Sequence, residues 1–274
     1  MSKVPNKFSK RPDHRNQTAR RPGSDPDRTT LSVIYGVVPV LEALKASGRR
    51  IDKVLIADGA KENRLSPIIQ LCRERSIAWS KVPSDQLLKF IDPDVNHQGV
   101  IAFTAAAEYS TVEKIMAAAQ RPQLLLVLDG VEDPRNLGAI LRVADGAGVD
   151  GIVLPERRAV GLTDTVAKSS AGAVEHVKVA KTPNLNRLIE SLKKENIWVI
   201  GTSMQATMSY NDWDWTRPSA LVLGGEGHGL HRLVAENCDI LVKIPMYGQV
   251  DSLNVSVAAG VILYEARRQR EGDK

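Results

Sequence analysis

Cysteine is scarce in this chain, with two among 274 residues, and that scarcity excludes several classes of protein at once. Cys72 and Cys238 each fall inside a helix-like run, so no disulfide framework is expected and a reducing compartment suits the chain. The two thiols cannot form a zinc site alone, and the five histidines do not join them at ligand spacing. His228 and His231 stand three apart without a third ligand nearby, so no metal is expected. No apolar run reaches the roughly 18 residues that a membrane span needs. The first residues also lack the apolar core of a secretory signal, so the expectation is a cytoplasmic protein with no membrane partner. No Gly-Lys-Ser/Thr follows the glycine-rich stretch near the C-terminus, which rules out a Walker A loop.

What is present is an ordinary globular composition, 43% hydrophobic and 25% charged, in a chain long enough for one large domain or two smaller ones. The net charge of +5 is concentrated in residues 1–30, where eight Lys and Arg face three Asp. This stretch is rich in Pro, Ser and Asn and is expected to be a disordered basic tail. A polyanionic partner such as RNA, a solubilising extension and a transit peptide are three readings of it.

Residues 31–105 alternate helix-like and strand-like runs, as expected of a small α/β domain. A turn precedes an amphipathic helix carrying Val37, Val40, Leu41 and Leu44 on one stripe. IDKVLIAD, IAWSKV and GVIAFTA follow as strands, and LSPIIQLCRER and SDQLLKFI as helices. Residues 106–120 read as a helical linker, and Arg121-Pro122 marks a boundary. From 121 to 274, six short apolar runs (QLLLVLDG, GIVLP, HVKVA, IWVIGTS, SALVLGG, DILVKIP) alternate with helical patterns. That alternation predicts a parallel sheet with helices on both faces.

Three segments of the second half carry polar groups to the expected carboxyl edge of that sheet, where such folds hold ligands. In DGVEDPRNLGAILRVADGAGV, Asn136 is placed to cap a helix, and Arg142 is a charge among apolar neighbours. It reads either as a group reaching back toward the sheet edge or as a partly exposed, salt-bridged arginine. In LVLGGEGHGL, four glycines surround Glu226, which is expected near the amino end of the next helix. The third glycine comes one residue too early, and the strand too late, for a dinucleotide fingerprint. In IPMYGQVDSLNVSVAAG, Ser252 is placed to cap the last helix, with Asn254 and Ser256 polar at its otherwise apolar start.

In this order the segments resemble the SpoU/TrmH group of RNA ribose 2′-O-methyltransferases of the SPOUT superfamily. The motifs are N-x-G-A-I-x-R at 136–142, L-x-L-G-x-E-G-x-G-L at 221–230 and I-P-M…S-L-N-V-S-V-A at 244–258. IYGVVPVLEAL at 34–44 and HQGVIA at 97–102 resemble the small RNA-binding domain of the 23S ribosomal RNA guanosine methyltransferase branch, RlmB. The resemblance implies a trefoil-knotted α/β SPOUT domain, S-adenosylmethionine as cofactor, and a homodimer whose partner completes the site. It implies cofactor contacts from Gly224, Ile244, Met246 and Leu253, and a catalytic and RNA-facing set of Asn136, Arg142, Glu226, Ser252 and Asn254. The activity implied is guanosine 2′-O-methylation in 23S ribosomal RNA. Transfer RNA methylation and a non-catalytic RNA-binding protein on the same fold are the alternatives.

Overall fold

A computed structural model describes residues 32–46 and 48–272. The expected disordered tail, 1–30, lies outside them. The small sheet is built from β1 (Ser32–Tyr35), β2 (Ile51–Ala57), β3 (Ala78–Val82) and β4 (Val100–Thr104) in the order β1-β4-β2-β3. Helices α1 (Val37–Ala46) and α2 (Glu62–Glu74) join these strands, as does the single turn α3 (Ser84–Leu87). β1 was expected as a turn. It pairs antiparallel with β4 from Ser32 against Thr104 to Tyr35 against Ile101, a long-range pairing that no local pattern reveals. α3 is shorter than the expected 84–91 because only Leu87 within it is buried.

α4 (Val112–Ala118) is the only helical part of the connector among the described residues; before it, Ser110 N–H donates to the Val179 carbonyl. The second half runs β5 (Leu124–Asp129), α5 (Pro134–Ala147), β6 (Gly151–Pro155), α6 (Asp164–Ser169) and β7 (Val179–Thr182). It continues through α7 (Leu185–Lys194), β8 (Trp198–Thr202), β9 (Met208–Ser209), β10 (Ser219–Gly224), α8 (Arg232–Asn237), β11 (Ile240–Lys243) and α9 (Val255–Glu271). The seven strands pair in the order β7-β6-β5-β10-β8-β11-β9, every ladder parallel. All their carboxyl ends therefore share one edge. The chain winds outward from β5 to β7, crosses to β8, and inserts β10 between β5 and β8. A ligand crevice belongs where the winding direction changes, here beside β5 and β10.

Alternation along the strands separates two faces. Leu124, Leu126 and Leu128 pack with α5 and α9, whereas Leu125 and Val127 pack with Ile115 of α4 and Leu188, Ile189 and Leu192 of α7. Helices α5 and α6 approach so closely that a Cβ on Gly138 would lie 1.8 Å from Ser169 Oγ.

The core on the α5 side continues into the small sheet through Ile34, Val40, Leu44 and Val100. Polar contacts fix that junction. Arg49 pairs with Glu175, both side chains only 5% exposed, and Arg49 also reaches the Ala105 carbonyl at 3.4 Å. Asp164 accepts from Ser32 Oγ, and Glu42 pairs with His176 at 3.0 Å. Breaking a buried ion pair strands a charge at a cost of about 3–5 kcal/mol, whereas removing both partners costs little. Glu175→Met should thus lower the unfolding free energy by about 3 kcal/mol in urea titrations. The double variant Arg49→Met/Glu175→Met should recover most of that loss.

Candidate functional site

The register of β5 and β10 places Gly224 opposite Asp129 at the carboxyl edge, and Gly225 N–H donates to the Asp129 carbonyl at 2.7 Å. The chain then folds back on itself, Gly229 N–H donating to the Gly225 carbonyl at 3.2 Å. A Cβ on Gly224 would stand 2.0 Å from the Gly229 carbonyl carbon, so only glycine closes this loop.

Glu226 projects from the loop and gathers the other two segments. Its Oε1 accepts from Asn136 Nδ2 at 2.6 Å and from Asn254 Nδ2 at 2.8 Å. Asn254 Nδ2 also donates to Asn136 Oδ1 at 3.1 Å, which closes a triangle of one carboxylate and two amides. Residues 118 positions apart thereby meet at one point.

Three local expectations are corrected here. Asn136 does not cap α5. The helix begins earlier, with Pro134 in its first turn and the Asp133 carboxylate accepting from Arg135 N–H at 2.7 Å, which frees Asn136 for Glu226. Ser252 does not cap α9 either, because Asn254 accepts from Ser256 N–H at 2.9 Å and leaves Ser252 in the loop. Glu226 lies ahead of α8, whose N-cap is His231, and bonds instead to the side-chain amides of Asn136 and Asn254 at the amino ends of α5 and α9.

Around this triangle lies a cavity of about 580 Å³, lined by Gly224, Glu226, Ile244, Met246, Ser252, Leu253 and Asn254. Its size is within the usual range for small-molecule sites. Asn136 meets it only through its bonds to Glu226 and Asn254. Arg142 is not part of it. That side chain is exposed on α5 and makes no hydrogen bond or ion pair with the described residues, so neither sequence reading places it as found.

Met204 and Gln205, from the turn after β8, also line the cavity and were missed. The available signal was a short polar turn, TSMQ, following an apolar strand at the same edge. A second missed pair is Asp129 and His231: the buried carboxylate accepts from His231 N–H at 2.8 Å and lies 2.8 Å from its Nδ1, tying the start of α8 to β5. The cysteines stand apart from this chemistry. Burial pushes Cys72 up to about 11 and Cys238 up to about 12, so neither is a thiolate nucleophile at neutral pH. Among the described residues no three His, Cys, Asp or Glu side chains gather as metal ligands would.

A parallel sheet with a direction change, a glycine-walled cavity beside it and a polar triangle at its rim define an α/β protein with a small-molecule-sized site at the carboxyl edge of its sheet. The SpoU rRNA methylase family model matches residues 123–264, and a model for RNA 2′-O ribose methyltransferase substrate binding matches 33–110. The chain belongs to the SpoU methylase family. It is 44% identical over 240 residues to a Bacillus subtilis (strain 168) protein named for the TrmH family of tRNA/rRNA methyltransferases, across 86% of this chain and 95% of that one. An AdoMet-bound rRNA methyltransferase from Sinorhizobium meliloti superposes with a TM-score of 0.71 at 26% identity, covering 88% of each chain. A TrmH/SpoU tRNA modifying enzyme from A. aeolicus gives 0.52 at 29% identity, covering 59% of this chain and 84% of its own.

Glu226→Ala removes the shared acceptor of two amides. The expected effect is local, easing opening of the loop by about 1 kcal/mol, since Glu226 is exposed and its two bonds tie the loop to α5 and α9. Faster amide hydrogen exchange confined to residues 225–230 and the first turn of α9 is the measurement that checks it.

Proposed function

We propose that the protein transfers a methyl group from S-adenosylmethionine to the ribose 2′-hydroxyl of a guanosine in 23S ribosomal RNA. The observation carrying this reading is the Glu226–Asn136–Asn254 triangle at the rim of a glycine-walled cavity, in a chain of the SpoU methylase family. The cavity suits the cofactor chemically. Gly224 and Gly225 wall it with no side chain to fill the space, and Ile244, Met246 and Leu253 offer apolar surface to an adenine ring. Bound there, S-adenosylmethionine supplies a methyl group already attached to a good leaving group. The protein's remaining tasks are to hold the 2′-oxygen in line and to ease loss of its proton.

Asn136, Glu226, Ser252 and Asn254 orient the ribose from the cavity rim. Arg142 holds the adjacent phosphate and stabilises negative charge developing on the 2′-oxygen, while the proton leaves to phosphate or water. A guanidinium resists deprotonation too strongly to act as the base itself.

Arg142 reaches such a position if a second copy of the chain packs on the α5–α9 face. Beside it lies an exposed apolar strip: Val257 and Tyr264 are 50% and 53% exposed, Tyr264 covers Gly146, and Val143 meets Gly260. Tyr247, 96% exposed, and Val250 extend apolar surface along the neighbouring loop. A homodimer over this strip presents Arg142 of one subunit to the cavity of its partner.

Ribosomal rather than transfer RNA is favoured by the small first domain. The AdoMet-bound rRNA methyltransferase covers both sheets' share of the chain, whereas the tRNA modifying enzyme covers 59% of it. A 23S transcript should accept tritiated methyl from S-adenosylmethionine and a transfer RNA transcript should not; the reverse result would reassign the substrate. No helix among the described residues is long and apolar enough to cross a membrane.

Arg142→Lys should lower single-turnover methylation by roughly 100-fold, with cofactor affinity by calorimetry nearly unchanged, because lysine lacks the bidentate fork. Mixing Arg142→Ala with Asn254→Ala subunits should restore part of the activity that each lacks alone. No restoration in mixed dimers would show that each subunit uses its own arginine.

A further inference from the structure

Lys168 of α6 sits at the seam between the two sheets and has no carboxylate partner among the described residues. Its Nζ stands 4.2 Å from the centre of the Tyr35 ring and donates to the Asn96 carbonyl at 3.3 Å. The nearest acid on its own helix, Asp164, is engaged by Ser32 Oγ and Val33 N–H. Burial holds the Lys168 pKa below the ordinary lysine value, as it does for a cation short of a counterion.

On one side of Lys168, Ser169 Oγ donates at 3.2 Å to the carbonyl of Pro134, beside exposed Arg135 and two residues before Asn136 of the polar triangle. On the other side, Asn96 and His97 line a second cavity of about 440 Å³, whose cations Lys61 and Arg64 face one carboxylate, Asp58. Arg135, Lys61 and Arg64 likewise have no ion-pair partner among the described residues. Arg135 beside the candidate catalytic rim, Lys168 on the adjoining α6 and the small domain's Asn96 thus lie along one seam, joined by the Ser169–Pro134 and Lys168–Asn96 contacts. The buried Arg49–Glu175 pair keeps that spacing fixed.

We propose that this seam is a phosphate subsite for the single-stranded RNA flanking the methylated nucleotide, with Lys168 as its anchor. An ammonium with free N–H groups beside an aromatic ring, on a preformed ridge between two cavities, fits one phosphodiester. The inference rests on the RNA-directed reading above. A strand held there passes from the triangle toward the Lys61–Arg64 cavity.

The test uses the full chain and a 23S ribosomal RNA transcript. Each phosphate neutralised on a single strand contributes about 0.7 to the slope of log affinity against log salt. Lys168→Gln should lower that slope by about 0.7, while Lys168→Arg keeps it and cofactor affinity and melting temperature stay unchanged. An unchanged slope overturns the subsite, and so does a lower melting temperature with the slope intact, which would make Lys168 a strut between domains. If Lys168→Gln fails to fold, the exposed Arg135→Gln carries the same expectation. Wild-type protein that transfers no methyl to either transcript sinks the reading beneath the inference; active wild type with an unchanged slope in both variants sinks the inference alone.

Discussion

The site depends on one ladder, the parallel pairing of β10 with β5. Six consecutive residue pairs, from Ser219 against Leu124 to Gly224 against Asp129, fix where the glycine loop leaves the sheet. A register error of one residue would exchange Leu221 and Leu223, buried against α5 and α9, with Val222 on the opposite face. Burial on both faces thus specifies the register, and the register places Glu226 within reach of Asn136. Without that ladder, the first and second motifs would be two unrelated polar loops.

The strands of the second half were legible because a buried parallel strand needs apolar side chains on both faces, and runs such as QLLLVLDG meet that need. The helix termini were less so. Asn136 and Asp133 are both good caps by residue type, and what separates them is Pro134, whose fixed φ suits a first helical turn. Ser252 and Asn254 present the same ambiguity at α9, resolved by which oxygen reaches a free N–H.

Long-range features were legible only through motif resemblance or not at all. Glu226 stood out among its glycines, but nothing local identified two asparagines as its partners. The strand at 32–35, the two-residue strand at 208–209 and the Asp129–His231 clasp exist only because distant segments supply a ladder or a carboxylate. Arg142 shows the converse. Its residue type and position were conspicuous in sequence, yet within one chain it stays in solvent, since what gives a guanidinium a role is the surface it meets.

The margins of the large sheet bear on how this molecule keeps company. At one margin Ser110 engages β7 by a single bridge as the chain passes toward α4; at the other, β9 offers only Met208 and Ser209. Neither presents the long row of unsatisfied amides and carbonyls on which another molecule's strand could build. Growth of this sheet from molecule to molecule is therefore disfavoured at both margins, where a neighbouring strand would find only a few groups to pair with.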